Sequence, residues 1–216
     1  MAHGVAQSVS ESGTTMIAAA IGPWFRAMLA GAAILALSGC FYSDTALIAA
    51  SERVQPVDPG LWERLVPFAD DDWAKLTAEE RQAGHCRRFE AANYCSERVA
   101  VAAGPDGSYR VTFAGDDEAS AVAFAKLSGN RFIVEQNDEG ERFYYALAIR
   151  KSAGRFDIVL PDCDRDRTLH AYAPPTKASA AECLVADRQR LTGLFGAFAS
   201  QAGAAKPQIY LKVAEE

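Results

Sequence analysis

From Cys86 to Leu160 the sequence keeps a period of two, and that rhythm constrains the fold more than any other feature. Val99 and Val101 alternate with Arg98 and Ala100, ahead of the turn signal Gly104-Pro105-Asp106-Gly107. Tyr109, Val111 and Phe113 alternate with Arg110 and Thr112, ahead of Gly115-Asp116-Asp117. Ala119 to Leu127 follows, with Val122 and Phe124 on one face, and Ser128-Gly129-Asn130 turns the chain again. Phe132 and Val134 alternate with Arg131 and Glu135. After Asn137 to Gly140 comes the clearest run: Phe143, Tyr145, Leu147 and Ile149 face one way, and Arg142, Tyr144 and Arg150 the other. Ser152-Ala153-Gly154 leads to Phe156, Ile158 and Leu160. Alternation of this kind is the signature of strands, and short Gly-containing turns join antiparallel neighbours. One apolar and one mixed face suit a sheet covered on one side. A meander this long has to curl, close or be covered to hide its edges. The sequence therefore predicts a mainly β fold, an antiparallel meander that is curled or barrel-like.

The period changes near the C-terminus. Leu191, Leu194, Phe195 and Phe198 stand at i, i+3, i+4 and i+7, one helical stripe. Asp187 is the expected N-cap of a helix over 188–200, packed as a cover on the sheet. A short strand over Cys183 to Ala186 and a last strand through Ile209, Leu211 and Val213 flank it. Upstream, Phe41 to Gln82 reads as the least regular part, with Pro56, Pro59, Gly60, Pro67 and the acidic run Asp70 to Asp72. Thr77 and Glu80 have capping-box spacing for a short helix. Leu61, Trp62, Leu65 and Phe68 are the expected core contacts there.

Composition narrows the class. The chain has 216 residues, half of them apolar, and a formal net charge of −6. That length suits one domain. The acidic balance argues against a nucleic-acid binder, and a mean hydropathy of −0.07 excludes a polytopic membrane protein.

The N-terminus indicates export. Ala27 to Leu37 carries no charge, follows Arg26 and ends in Leu37-Ser38-Gly39-Cys40. Such a stretch is too short to span a hydrocarbon core and has the pattern of a secretory signal. The tetrapeptide resembles the lipobox of bacterial lipoproteins. The resemblance implies a diacylglycerol on the Cys40 thiol, cleavage before Cys40, acylation of the new amino group (a palmitate-type chain), and a mature chain starting at Cys40. Met16 is an alternative start that gives a signal of ordinary length. Phe41 rather than Asp after the Cys favours, in a Gram-negative host, the inner leaflet of the outer membrane, with the protein facing the periplasm. The expected organisation is a signal peptide over 1–39, a lipidated Cys and tether over 40–55, and one β-rich globular domain over 56–216.

Four cysteines remain: Cys86, Cys95, Cys163 and Cys183. An even count in an exported chain suggests disulfides. Three connectivities are open. The sequence-local pairs, Cys86 with Cys95 and Cys163 with Cys183, are preferred; their loops of roughly 10 and 21 residues are worth about 2.5 to 3.5 kcal/mol each. His85 and His170 beside these cysteines raise a metal reading, but there is no C-x-x-C and the spacings do not match zinc sites. No metal site and no cofactor is expected.

Catalytic templates fail. There is no G-x-S-x-G, no P-loop and no G-x-G-x-x-G. Asp164, Asp166 and Thr168 spell D-x-D-x-T and resemble the phosphatase motif of the haloacid dehalogenase superfamily, which implies a nucleophilic Asp, an acid Asp and magnesium. That motif opens a long α/β domain, whereas the strands before Asp164 look antiparallel and little chain follows. Asp162, Asp164 and Asp166 also fit the first calcium-loop positions, but Arg167 stands where Gly is needed and Ala173 where Glu is needed. The bland reading is a solvated turn balanced by Arg165 and Arg167. The functional expectation is a lipid-anchored envelope protein with a non-catalytic binding or scaffolding role toward an unknown envelope partner. The alternative is a carrier of a small apolar ligand, with a cavity on the Phe143/Tyr145/Leu147 face and Tyr144 and Tyr172 as further candidate lining. A metal-dependent phosphatase-like enzyme ranks third.

Overall fold

The computed structural model describes residues 41–138, 141–202 and 206–214. In it the strand rhythm becomes a closed barrel. The strands are β1 (Phe41–Ser43), β2 (Gly60–Phe68), β3 (Cys86–Phe89), β4 (Ala92–Ala103), β5 (Tyr109–Phe113) and β6 (Ser120–Ser128). They continue with β7 (Arg131–Asp138), β8 (Arg142–Ser152), β9 (Arg155–Val159), β10 (Cys183–Leu184) and β11 (Gln208–Lys212). Strands β4 to β9 pair antiparallel in chain order, as the alternation predicts. Two distant strands close the ring: β2 flanks β4, and β11 fits between β2 and β9, completing an antiparallel barrel of eight strands. Closure removes the exposed edges that an open meander would leave.

The strand β8 is long enough to serve two partners on one edge. Its middle and end pair with β9, from Leu147 opposite Val159 to Ser152 opposite Arg155. Its start pairs with β1, Tyr144 opposite Tyr42. Strand β10 then runs parallel to β1, Cys183 beside Phe41.

The two faces of the barrel wall make two cores. Trp62, Val99, Tyr109, Phe124, Phe132 and Phe156 are buried inside the barrel. Ile133, Tyr145, Leu147 and Val159 point outward and are covered by the C-terminal helix. That helix, here α3 (Arg188–Phe198), follows two short ones, α1 (Asp70–Trp73) and α2 (Ala78–Ala83). Asp187 caps α3 by accepting from Arg190 N–H at 2.8 Å. Leu191, Leu194 and Phe195 are fully buried and Phe198 almost so. Full burial of four such side chains is worth roughly 6 to 12 kcal/mol, an upper bound because unfolded chains are partly collapsed. The capping box at Thr77 also forms, with Glu80 bonded back to Thr77 N–H at 2.8 Å.

Three expectations need correction. The segment after Cys40 is no tether: Phe41 is fully buried in β1, and Ile48 is 1% exposed. Its backbone is held by a buried carboxylate, Glu135, whose Oε2 accepts from Leu47 N–H at 2.7 Å and Ile48 N–H at 3.0 Å. The "irregular" stretch contains β2, a nine-residue strand that completes the barrel. Its alternation is disguised because Arg64, a charged residue, faces inward together with Trp62. By the same alternation Leu61 faces solvent at 37% exposure rather than reaching the core. The signal segment 1–39 and Cys40 lie outside the described residues.

Candidate functional site

The inside of the barrel is the strongest candidate site. Aromatic side chains from separate strands converge there: Trp62 and Phe156 meet edge-on at 6.1 Å, Tyr109 and Phe124 at 5.6 Å, and Phe124 and Phe156 at 6.4 Å between ring centroids. To this core β8 contributes the small side chains of Ala146 and Ala148. The mismatch leaves a cavity of about 70 Å³, lined almost entirely by apolar side chains, with Gln136 and the Tyr109 and Tyr210 rings among its walls. For comparison, an apolar cavity of roughly 150 Å³ admits benzene. The space here suits a smaller molecule or part of a larger one.

A strap over 54–59, which precedes β2, borders this cavity through Val57. Its entry is anchored by Val54 N–H donating to Phe124 O at 2.9 Å. Tyr109 holds its middle with two bonds: Val57 N–H donates to the Tyr109 hydroxyl at 2.9 Å, and that hydroxyl donates to Val57 O at 2.7 Å. The Trp62 indole N–H donates to Asp58 O at 3.0 Å. Burial raises the Tyr109 phenol above its ordinary value, and the bond from the Val57 backbone opposes that shift in part. A neutral hydroxyl is what the latch needs, since only it both donates and accepts.

Near the aromatic walls sits a charged pair. Arg64 and Glu97 form an ion pair across β2 and β4, with Arg64 only 3% exposed and its guanidinium carbon 4.4 Å from the Phe113 ring centre. Burial pushes the Glu97 carboxyl up, and Arg64 pulls it back down in part. Tyr210, opposite Arg64 on β11, is likewise pushed up by burial. The pair adds no net charge to the barrel interior, which matches an apolar rather than an ionic occupant.

The sequence-derived candidates fall into place around this site. Phe143, Tyr145 and Leu147 do not line the cavity. They lie on the outer face of β8, packed in or against the core under α3, because the helix and the cavity need opposite faces of one strand. Tyr144 packs against Tyr42 at 6.3 Å, and Tyr172 packs against α3. Trp62, Tyr109, Phe113 and Phe156 do line it. The alternation of the last three was visible, that of Trp62 was not, and neither was which strands would close on one another.

The cysteines pair locally: Cys86 with Cys95, and Cys163 with Cys183. His170 lies half-buried beside the second bridge, its Nε2 2.7 Å from Cys163 O. The donor atoms of Cys163, His170 and Cys183 fall within 4.8 Å of one another. With the two sulfurs bonded together neither is a thiolate, so the set lacks the donors that a zinc site requires. His85 is exposed and follows α2. In the acidic loop, Asp162 accepts from Asp164 N–H at 3.0 Å and Arg165 N–H at 3.1 Å, and Asp166 accepts from Asp162 N–H at 2.7 Å. These carboxylates shape the turn, and Asp162 also pairs with Arg165 at 3.2 Å. Asp164 and Asp166 thus stand in a capped turn after an antiparallel strand, without the parallel-sheet setting that the phosphatase motif needs. Cys40, the expected lipidation site, lies outside the described residues.

No helix among the described residues is long and apolar enough to cross a membrane. Comparison with family models, curated proteins and solved structures finds no match for the chain.

Proposed function

We propose that the chain is a lipid-anchored envelope protein that binds rather than transforms its ligand, taking a small apolar molecule into the barrel. The observation that carries this reading is the apolar cavity, walled by Trp62, Tyr109, Phe124 and Phe156 and bordered on β8 by the small Ala146. A closed barrel of this strand number has an interior just wide enough for side chains or for one small ligand. The cancelling charges of Arg64 and Glu97, the apolar lining and the small volume favour a compact, neutral or weakly polar molecule. The lipobox-like Leu37-Ser38-Gly39-Cys40 supports the anchor. A scaffolding role toward an envelope partner remains compatible with the same barrel.

The test is native mass spectrometry of the protein purified from a Gram-negative envelope, with xenon, small enough for this volume, as a probe of the cavity. A retained mass, lost on denaturation, identifies the ligand class. Probe-induced shifts at the side chains of Phe124 and Phe156 locate the site, and Ala146→Leu, which fills the space, abolishes them. A bare mass together with unchanged spectra under xenon overturns the ligand-binding reading.

A further inference from the structure

The N-terminal strand is built as a fixed mount, and we infer that the barrel is held in one orientation against the bilayer surface by a lipid joined to it without a tether. This rests on the reading of Cys40 as the lipidated residue. Covalent geometry places Cys40 one peptide unit, about 3.8 Å, from the Cα of Phe41. Phe41 is fully buried and Tyr42 is 7% exposed. The strand they form is gripped on both edges. On one side β8 pairs with it, Tyr42 opposite Tyr144. On the other side β10 pairs with it, Phe41 beside Cys183, and Val185 N–H donates to Tyr42 O at 2.7 Å. Cys183 is itself bonded to Cys163, in the loop that leaves β9. The anchor strand is held by backbone pairing on both edges, and its neighbour β10 is itself bolted covalently to the loop after β9.

The segment after β1 is fastened too. Ser43 Oγ lies 2.6 Å from the Tyr145 hydroxyl, and that hydroxyl donates to Glu135 Oε2 at 3.1 Å. The same oxygen holds Leu47 and Ile48. The exposed stretch Asp44 to Ala46 is thus fastened at both ends. The mount meets the wall at the seam where β8 passes from β1 to β9, so the bilayer faces that side of the barrel. Leu61 is the exposed large apolar residue among those described. The loop beside the seam carries Asp162, Asp164, Arg165 and Arg167. Such a surface rests on headgroups and does not enter hydrocarbon.

The test uses the full-length protein, processed in a Gram-negative host and reconstituted in phosphatidylethanolamine/phosphatidylglycerol vesicles that carry a headgroup-linked energy acceptor. A donor dye is placed at Asp164→Cys, next to the bridge, or at Ala100→Cys, exposed on β4 across the barrel. Mass analysis of the N-terminal peptide first establishes whether Cys40 carries acyl chains. With the lipid present, transfer from position 164 exceeds that from position 100 by about twofold or more. A twelve-residue Gly-Ser linker inserted between Cys40 and Phe41 adds a reach of roughly 20 Å and brings the two positions to equal transfer. Equal transfer at both positions in the acylated protein without the linker overturns the fixed mount and leaves the lipoprotein reading standing. An unmodified Cys40 overturns both.

Discussion

Two glycines on one helix give a paired test of how α3 is packed. At Gly196 an added Cβ meets nothing within 4 Å. Gly196→Ala therefore gains only the helix propensity difference, about 1 kcal/mol. At Gly193 the same methyl would stand 2.7 Å from Tyr172 Cε1 and 2.8 Å from Cδ1. Real carbon contacts do not approach so closely, so the ring or the helix has to shift. Tyr172 is half-buried at the end of the turn Arg167–Ala171, which Leu169 fixes in the outer core. Overpacking of this kind costs about 1 to 3 kcal/mol. The propensity gain offsets part of it, so Gly193→Ala falls between neutral and about 2 kcal/mol destabilised. Relative to Gly196→Ala the gap is about 1 to 3 kcal/mol, or roughly 2 to 12 °C in melting temperature for a chain of this size. Urea denaturation of both variants, alone and in a Tyr172→Ala background, measures it. In that background Gly193→Ala becomes as favourable as Gly196→Ala. Equal stability of the two variants beside an intact Tyr172 refutes the proposed contact.

Three further outcomes are expected. Glu135→Ala leaves Leu47 N–H and Ile48 N–H without their acceptor and costs about 2 to 4 kcal/mol, whereas Glu135→Gln keeps an acceptor oxygen and costs less; limited proteolysis within 44–49 reports the loosened segment. Arg64→Met leaves the Glu97 carboxylate buried without its cation and costs about 3 kcal/mol at neutral pH. Because burial holds the Glu97 pKa above its unfolded value, the folded state takes up the proton first. The cost of Arg64→Met therefore shrinks as pH falls through that raised pKa, and a cost that stays the same from neutral pH down to the ordinary glutamate pKa in urea titrations counts against the buried pair. Replacing Cys163 and Cys183 together by Ala removes a bridge closing a 20-residue separation and lowers stability by about 3 kcal/mol, read as a shift in the denaturation midpoint; the shorter Cys86–Cys95 loop gives a slightly smaller loss.

Local physics made much of this protein legible in advance. The antiparallel run β4 to β9 follows from period-two alternation between short turns, each a statement about neighbouring residues. Helix α3 follows from one apolar stripe and the Asp187 cap, and α2 from the Thr77–Glu80 box. The two disulfides join the cysteines nearest in sequence. Strand β2 escaped notice because Arg64 occupies an inward position, breaking the apolar pattern, and its neutralising partner Glu97 lies on another strand. Strand β1 escaped because three residues carry no period of their own; Phe41 and Tyr42 are buried only once β8 and β10 flank them.

The candidate site divides along the same line. Sequence alone determined that one face of β8 would be apolar, Phe143 through Ile149, with Arg142, Tyr144 and Arg150 on the other. Only the tertiary structure decided which face a helix covers and which a cavity borders, because side-chain alternation does not distinguish inside from outside. That choice depends on ring closure by β2 and β11, whose pairing with each other spans more than a hundred residues of chain. The cavity itself is a difference between large side chains on some strands and small ones on β8. Such a difference exists only after the strands are brought round to face one another, so no local pattern contains it.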